Sequence, residues 1–502
     1  MPNQSPNRSI DFSDVQGLVR FGYGALTDAC FLLLKIRDAA AAREWLSSAP
    51  VSNAVELDKA PATAVQIAFT VQGLRALGLP DELMAGFSNE FLTGIAADES
   101  RSRRLGDVGP NAPSGWAWGG DDASTPDVVV LLYSVPGMLD SLRAGIRGTN
   151  FEAAFDEGPC LLTSNMNGFE PFGFKDGISQ PSVDWKRRRD TSGDTLDYTN
   201  EVALGEFLLG YPNEYGKYTD RPLLPAATHA ALSPAEDNAA QLDFGRNGTY
   251  IVFRQLEQDV AAFWQFADRA AEGDAAQREK IAAAMVGRQR SGEPVVPLAT
   301  ERIGGIDAKT AALNNFNYSE DDAGLRCPLG SHIRRTNPRN ADMPAGNITW
   351  IRRLLRALGF PRETLRQDVI SSTRFHRLLR RGREYGTILT PEDALKPSAA
   401  ASEARGIYFL CLNANIARQF EFVQSAWAMN ANFDGLTGEV DPLLGPRCPL
   451  YGGQPTDSFS MPESHGPRKH VAGMPPFVTV RGGAYLFMPS LAALRYIARQ
   501  NG

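Results

Sequence analysis

At 502 residues, with 43% hydrophobic and 22% charged side chains, the chain has the make-up of a globular protein and the length of two cores rather than one. A formal net charge of -7 argues against nucleic acid as the main partner, since a phosphate-binding surface needs a basic excess. No stretch approaches the roughly 18 apolar residues of a membrane span, and the five histidines are too few and too scattered for a multi-histidine metal site. The five cysteines (Cys30, Cys160, Cys327, Cys411 and Cys448) are odd in number and form no Cys-x-x-Cys pair, which reads as small core thiols in a reducing compartment. Met1–Phe12 is polar and lacks the apolar core of a secretory signal, so a cytoplasmic location is expected.

Along the chain, Ala29–Ile36 reads as a strand that turns at Asp38 into an Ala-rich amphipathic helix ending near Trp45. Val128–Val135 reads as a buried strand followed by a helix over Met138–Ile146. Ala226–Asp243, rich in Ala, Pro and polar residues, reads as a linker. Thr249–Leu256 repeats the first plan, a mostly apolar strand turning into a helix through Val260, Phe263 and Trp264, with an acidic residue at the helix start that suits its dipole. Arg339–Asn347, with Pro338 and Pro344 nearby, reads as an insertion loop. Gly406–Asn413 is a strand before a helix over Ile416–Ala428, and Ala484–Met488 is a strand before a closing helix over Leu491–Arg499. The recurring strand and helix plan indicates a duplicated α+β unit with antiparallel sheets, divided as 1–235 and 240–502.

Three places carry candidate chemistry. In Gly173-Phe-Lys-Asp-Gly177, Asp176 sits between glycines and among Phe169, Phe172, Phe174 and Ile178. Asp-Gly is a common turn pair, but a carboxylate in apolar surroundings needs a partner or a task. His332 follows Cys327-Pro-Leu-Gly-Ser331 and leads into Ile-Arg-Arg-Thr-Asn-Pro-Arg339; it is either a histidine bonded to backbone or a ligand. His229, His376, His465 and His470 lie in linker, Arg-rich or loop-like stretches. A single imidazole cannot hold zinc but suffices as the proximal ligand of haem iron. Peroxide chemistry on the open side of such an iron needs a base and a cation, and Arg374–Gly386 offers the cation, or else only a basic solvated face, as does Lys186–Arg189.

Gly173-Phe-Lys-Asp-Gly177, Cys327-Pro-x-x-x-His332-Ile-Arg-Arg-x-Asn-Pro-Arg339 and Leu379-Arg380-Arg-Gly-x-x-x-Gly386 together resemble the dye-decolourising peroxidases. The likeness extends to Val15-Gln-Gly-Leu18, Gln419-Phe-Glu-Phe-Val-Gln424 and Arg481-Gly-Gly-Ala-Tyr-Leu-Phe487, and so spans nearly the whole chain. The long spacing from His332 to Arg380, and Gly382 where some compact members have asparagine, match the longer-insertion branch.

The resemblance implies two ferredoxin-like halves with haem b in the C-terminal one, His332 as iron ligand, Asp176 as distal acid–base residue and Arg380 as distal arginine. Arg380 is preferred over Arg377, Arg381 and Arg383 because it stands six residues before Gly386. Arginines of these blocks are expected to hold the haem propionates, with the backbone of Gly177 and Ile178 against the ring. Asp441 or Asp457 would back the imidazole. Trp427, Tyr408 and Tyr385 are candidate surface relays for electrons from large dyes, though core packing is the commoner role for such side chains. The implied reaction is reduction of hydrogen peroxide with one-electron oxidation of organic donors such as dyes and phenols. Aspartate, with an intrinsic pKa of roughly 4, is a competent base in acid, so an acidic optimum is expected. A non-catalytic haem binder and a haemless α+β protein are the rival readings. No nucleic acid or membrane partner is expected, and self-association is left open.

Overall fold

The computed structural model describes residues 9–500 except 149, 190, 192–197, 228–230, 342–371, 402, 448–452, 454, 464–465 and 467. His229, His465, Cys448 and the 342–347 part of the expected insertion loop lie outside the described residues. Strands β1 (Asp28–Ile36), β2 (Thr63–Phe69), β3 (Val128–Ser134) and β4 (Phe155–Leu162) come from the first part of the chain. Strands β5 (Thr249–Gln258), β6 (Leu379–Arg380), β7 (Arg383–Tyr385), β8 (Gly406–Asn413) and β9 (Val478–Met488) come from the second.

All nine join one sheet in the order β6-β8-β5-β9-β2-β3-β1-β4, with β7 also paired to β8. Every ladder in it is antiparallel. The two groups of strands meet between β9 and β2, where Phe487 pairs with Phe69. Gln16 clamps this seam: its amide donates to the carbonyls of Ile67 and Pro489, both at 2.9 Å, and its oxygen accepts from the Ile67 N–H.

The strands turn sharply into helices where the sequence places caps. Asp38 accepts from the Ala41 N–H at 2.8 Å to start α1 (Ala39–Ser48). Helix α2 (Leu139–Ile146) follows β3. Asp259 accepts from Ala262 at 2.8 Å to start α3 (Val260–Ala270), which continues into α4 (Ala275–Val286). After α5 (His332–Thr336) and the later strands, Ser490 caps the closing α6 (Leu491–Ala498).

Both faces of the central strands are buried, so β1, β2 and β3 are largely apolar rather than alternating, while the edge strand β4 is mostly exposed. Cys30, Leu32 and Leu34 meet Trp45 and Leu46 of α1 and Leu494 and Ile497 of α6. On the other face Ala29, Phe31 and Leu33 meet Leu18, Val19, Leu204, Phe207 and Leu208 from irregular chain and short turns.

Two sequence expectations change. The helix over Ile416–Ala428 is π-helical at Ala417–Glu421 and Val423–Ala428, with Glu421 N–H bonded to Ile416 O and Met429 N–H to Gln424 O, both at 2.9 Å. The apolar period of such a wide helix is not that of an α-helix, and composition does not reveal it. The stretch read as a linker is pinned: Leu232, Ala235 and Leu242 are buried, Glu236 pairs with Arg187 and Arg246, and Asp243 pairs with Arg221. Its polar residues serve ion pairs rather than solvent.

Helix α3 carries the glycine-rich stretch around Asp176. Trp264 donates from its indole nitrogen to the Phe172 carbonyl at 3.0 Å, Phe174 stacks on the Trp264 ring, and Phe172 packs on Phe263 with ring centroids 4.6 Å apart. Trp264→Ala is therefore expected to cost about 3–5 kcal/mol of stability, measured by denaturant unfolding.

Candidate active site

One cavity of about 610 Å³ lies between the helix-covered face of β5 and β8, the π-helical segment and α5. Leu256, Ile407, Phe409, Phe420, Val423, Leu443, Leu444 and Val478 give it apolar walls, and Asp176, Gly177, Ile178, His332 and Arg380 all line it. The sequence-derived candidates, separated by more than two hundred residues, thus share one chamber.

The loop bearing Asp176 is closed on itself. Gly168, Gly173 and Gly177 adopt positive φ, the Asp176 N–H donates to Gly168 O at 2.9 Å, and the Lys175 N–H donates to Arg290 O at 3.1 Å. Glu170 is its internal tie: the carboxylate accepts from the N–H groups of Phe172 (3.0 Å) and Phe174 (2.9 Å) and from the Gln258 amide (2.8 Å). Burial pushes this carboxyl up to about 7 against the pull of those donors.

Arg380 approaches from β6. Its backbone N–H donates to Gln180 Oε1 at 3.1 Å and its guanidinium to Ser179 O at 3.2 Å, which leaves the guanidinium 3.8 Å from the Asp176 carboxylate. The side chains of Asp176 and Arg380 are 38% and 35% exposed, so the pair borders open cavity rather than packed core. The neighbouring arginines are committed elsewhere. Arg381 binds the carbonyls of Leu18 and Val19, Arg383 those of Gly22 and Tyr23, and Arg377 binds Tyr198 and Asn200.

His332 opens α5, a helix fixed by buried arginines. Arg334 binds Asp321 and the Cys327 carbonyl, and Arg335 binds the carbonyls of Trp427, Asn430 and Glu439. His332 Nδ1 lies 2.9 Å from Asp441 Oδ2, while Asp441 Oδ1 accepts from the N–H groups of Leu443 and Leu444, each at 2.9 Å. Burial alone would raise the Asp441 carboxyl, but the adjacent His332 and the backbone donors outweigh it and hold the group below its ordinary value. An ionised Asp441 accepts the Nδ1 proton and leaves Nε2 with its lone pair for the cavity. Between the two sequence candidates the structure therefore selects Asp441. Asp457 instead accepts, through its backbone carbonyl, from the Met474 N–H.

Cationic charge gathers in the same chamber. Arg288, Arg339 and Arg377 line it and are buried, bonded chiefly to carbonyl, amide and hydroxyl oxygens, and burial together with nearby Arg339 pushes Arg288 down to about 10. A flat apolar slot with one carboxylate-backed imidazole and an arginine-rich margin fits haem with its two carboxylates. Trp427, Tyr408 and Tyr385 are buried, as the core-packing reading of each expects, and do not reach the surface as relays; Tyr385 stacks on Tyr408 at 4.5 Å and Trp427 packs edge-on to His376 at 5.3 Å. Glu170, Gln258 and Arg288 escaped the sequence reading, since none stands in a motif; an internal Glu ahead of a Gly-rich apolar loop was the one available signal.

No protein-family model matches the chain. Over 406 residues it is 30% identical to the multifunctional dye peroxidase DyP2 of Amycolatopsis sp., covering 76% of this chain and 74% of that protein. The chain belongs to the dye-decolourising peroxidase family. Peroxidase 2 of Mycetinis scorodonius is 28% identical over 522 residues, covering 97% of this chain and 87% of that protein. Among solved structures, the dye-decolorizing peroxidase of Auricularia auricula-judae superposes with a TM-score of 0.70 at 26% identity, over 97% of this chain and all of that one. A dye-decolorizing peroxidase in complex with 2,6-dimethoxyphenol gives 0.68 at 25% identity, over 97% of this chain. Among the described residues no helix is long and apolar enough to cross a membrane.

Because three donors converge on Glu170, its replacement strands the Phe172 and Phe174 N–H groups. Glu170→Ala is expected to lower stability by about 1–3 kcal/mol in denaturant titration, with hydrogen-exchange protection lost first across residues 168–177.

Proposed function

We propose that this haem peroxidase reduces hydrogen peroxide and oxidises organic donors, dyes and phenols among them, by single-electron steps in acid. The observation that carries the proposal is the meeting, in one chamber, of an imidazole backed by Asp441 and a carboxylate facing a guanidinium at 3.8 Å. Per turnover one peroxide takes up two electrons and two protons to give two waters, and two donor molecules each lose one electron.

When bound, haem supplies the iron on which the peroxide O–O bond is cleaved and the oxidising equivalents that the donors then reduce. The remaining work falls to the chain. Asp176 takes a proton from one peroxide oxygen and returns it to the other. Arg380 stabilises the negative charge that develops as the O–O bond breaks, and the Ser179 and Gln180 contacts hold it for that task. His332 would ligate the iron through Nε2, with Asp441 at Nδ1 fixing its tautomer and increasing its donor strength. The arginine-rich margin that includes Arg339 and Arg377 would face the haem propionates, and the backbone of Gly177 and Ile178 would face the ring.

Protein produced with adequate haem should show a Soret band that changes on peroxide addition and should oxidise dyes fastest in acid. His332→Ala should lose the band. Asp176→Asn should keep it and lose about 10²–10⁴-fold in peroxide turnover. A Soret band that peroxide leaves unchanged would mark a cofactor binder instead of an enzyme, and an optimum above neutrality would remove Asp176 as the working base. Asp441→Asn should reduce haem affinity or activity by about 10–100-fold, read from haem titration and steady-state rates.

A further inference from the structure

Strand β7 places a second carboxylate in the chamber, one the peroxide reaction as derived does not use. In the β7–β8 register Glu384 is opposite Ile407, while Arg383 is opposite Tyr408 and Tyr385 opposite Gly406. Ile407 and Phe409 line the cavity, whereas Tyr408 packs into the cluster on the far side of the sheet. Pleat alternation therefore directs Glu384 to the cavity face and Tyr385 away from it, while Arg383, which also borders the cavity, turns its guanidinium to the Gly22 and Tyr23 carbonyls. Arg380, opposite Cys411 in the β6–β8 ladder, shares the face of Glu384, because Cys411 belongs to the cluster on that side.

Glu384 lines the cavity, is half-buried, and, among the described residues, receives neither a side-chain hydrogen bond nor an ion pair. The groups that face it can be named element by element. The Gly168–Gly177 loop contributes Asp176 and, further out, Lys175. β6 contributes Arg380, whose guanidinium is directed at Asp176 and Ser179. Its own strand contributes Arg383, held by the Gly22 and Tyr23 carbonyls. β8 offers only Ile407 and Phe409, and the 164–165 segment, where the Ser164 N–H donates to Glu384 O at 2.8 Å, brings no charge. Asp176 thus has a cation at 3.8 Å, whereas Arg383 acts on Glu384 only through space and is outweighed by burial and the Asp176 charge.

We propose that Glu384 is a second proton-holding carboxyl of the Asp176–Arg380 pocket, neutral while the enzyme works in acid and, once ionised, a fixed negative charge that closes the pocket to anions. The inference rests on the peroxidase reading of the same chamber. Its electrostatics follow from the arrangement. With Glu384 neutral, ionised Asp176 and Arg380 cancel. With Glu384 ionised the three groups sum to one negative charge in a confined, partly desolvated space. Burial first, and the Asp176 charge second, push the Glu384 carboxyl up to about 7, so the change of state falls at the alkaline edge of the expected working range.

The test is anion binding to the resting ferric haem protein, followed in the Soret band with fluoride, which stays anionic from about pH 5 to about pH 9. Wild type is expected to show a loss of fluoride affinity of about tenfold across neutrality beyond any step seen in acid. Glu384→Gln should abolish that step and leave the acid part of the profile in place, and Glu384→Asp should restore it, shifted in midpoint. Superimposable profiles for wild type and Glu384→Gln would overturn the proposal. A second measurement does not need the cofactor. In the wild-type minus Glu384→Gln infrared difference spectrum of the haem-free protein, which cancels the raised Glu170 carboxyl, a protonated carboxyl band should vanish near neutrality; a difference band that titrates in the ordinary glutamate range, about 4 to 5, or no difference band, would also overturn it. Failure of the peroxidase reading shows differently, as a missing Soret band or no response to peroxide in wild type.

Discussion

Side-chain parity in a sheet whose central strands are buried on both faces governs everything else in this molecule. Because successive residues of a strand point to opposite faces, one register fixes which side chains meet the cavity and which meet the opposing core. β8 shows the rule at work: Tyr408, Leu410 and Leu412 go to one cluster while Phe409 and Cys411 go to the other side. Through the β6–β8 and β7–β8 ladders the same parity delivers Arg380 and Glu384 to the chamber. A shift of a single residue would exchange Arg380 for Leu379 and Arg381, and bury a guanidinium among tyrosines.

Around that chamber polar groups are held by one another rather than by water. Asp441 is fully buried, accepts three hydrogen bonds, and so remains a carboxylate that can orient His332. Glu170 does for the Asp176 loop what Asp441 does for the imidazole. Asp176 and Arg380 differ from both in being more than a third exposed, with room beside them for a small molecule. Rigid, saturated polar groups thus support a few open ones, the division a reacting site requires.

Much of the fold was legible because it rests on local signals. Apolar runs such as Ala29–Ile36 and Gly406–Asn413 sit next to caps such as Asp38 and Asp259, and these short-range cues survive in the folded chain. The site was legible where a motif carried it: Asp176 between glycines, His332 after Cys327-Pro, Arg380 at its spacing from Gly386. What was hidden depends on long-range pairing. The choice of Asp441 over Asp457 turns on a hydrogen bond between residues 109 positions apart. The π-helical winding of Ala417–Ala428 and the pinning of Ala226–Asp243 by Arg187, Arg221 and Arg246 depend on partners that no local window contains. Glu384 stood inside a recognised block, but its orientation follows from strand parity, which the sequence of a three-residue strand cannot reveal.

The seam between β9 and β2 has a consequence for the protein as a polymer. If the chain were cut between its two groups of strands, β9 on one piece and β2 on the other would lose the pairing at Phe487 and Phe69 that joins them, and with it a cover for their apolar edges. Gln16 would lose its anchor on one side or the other. Each fragment would then be a template for self-pairing, and the intact chain avoids fibrous aggregation because its halves terminate each other's sheets.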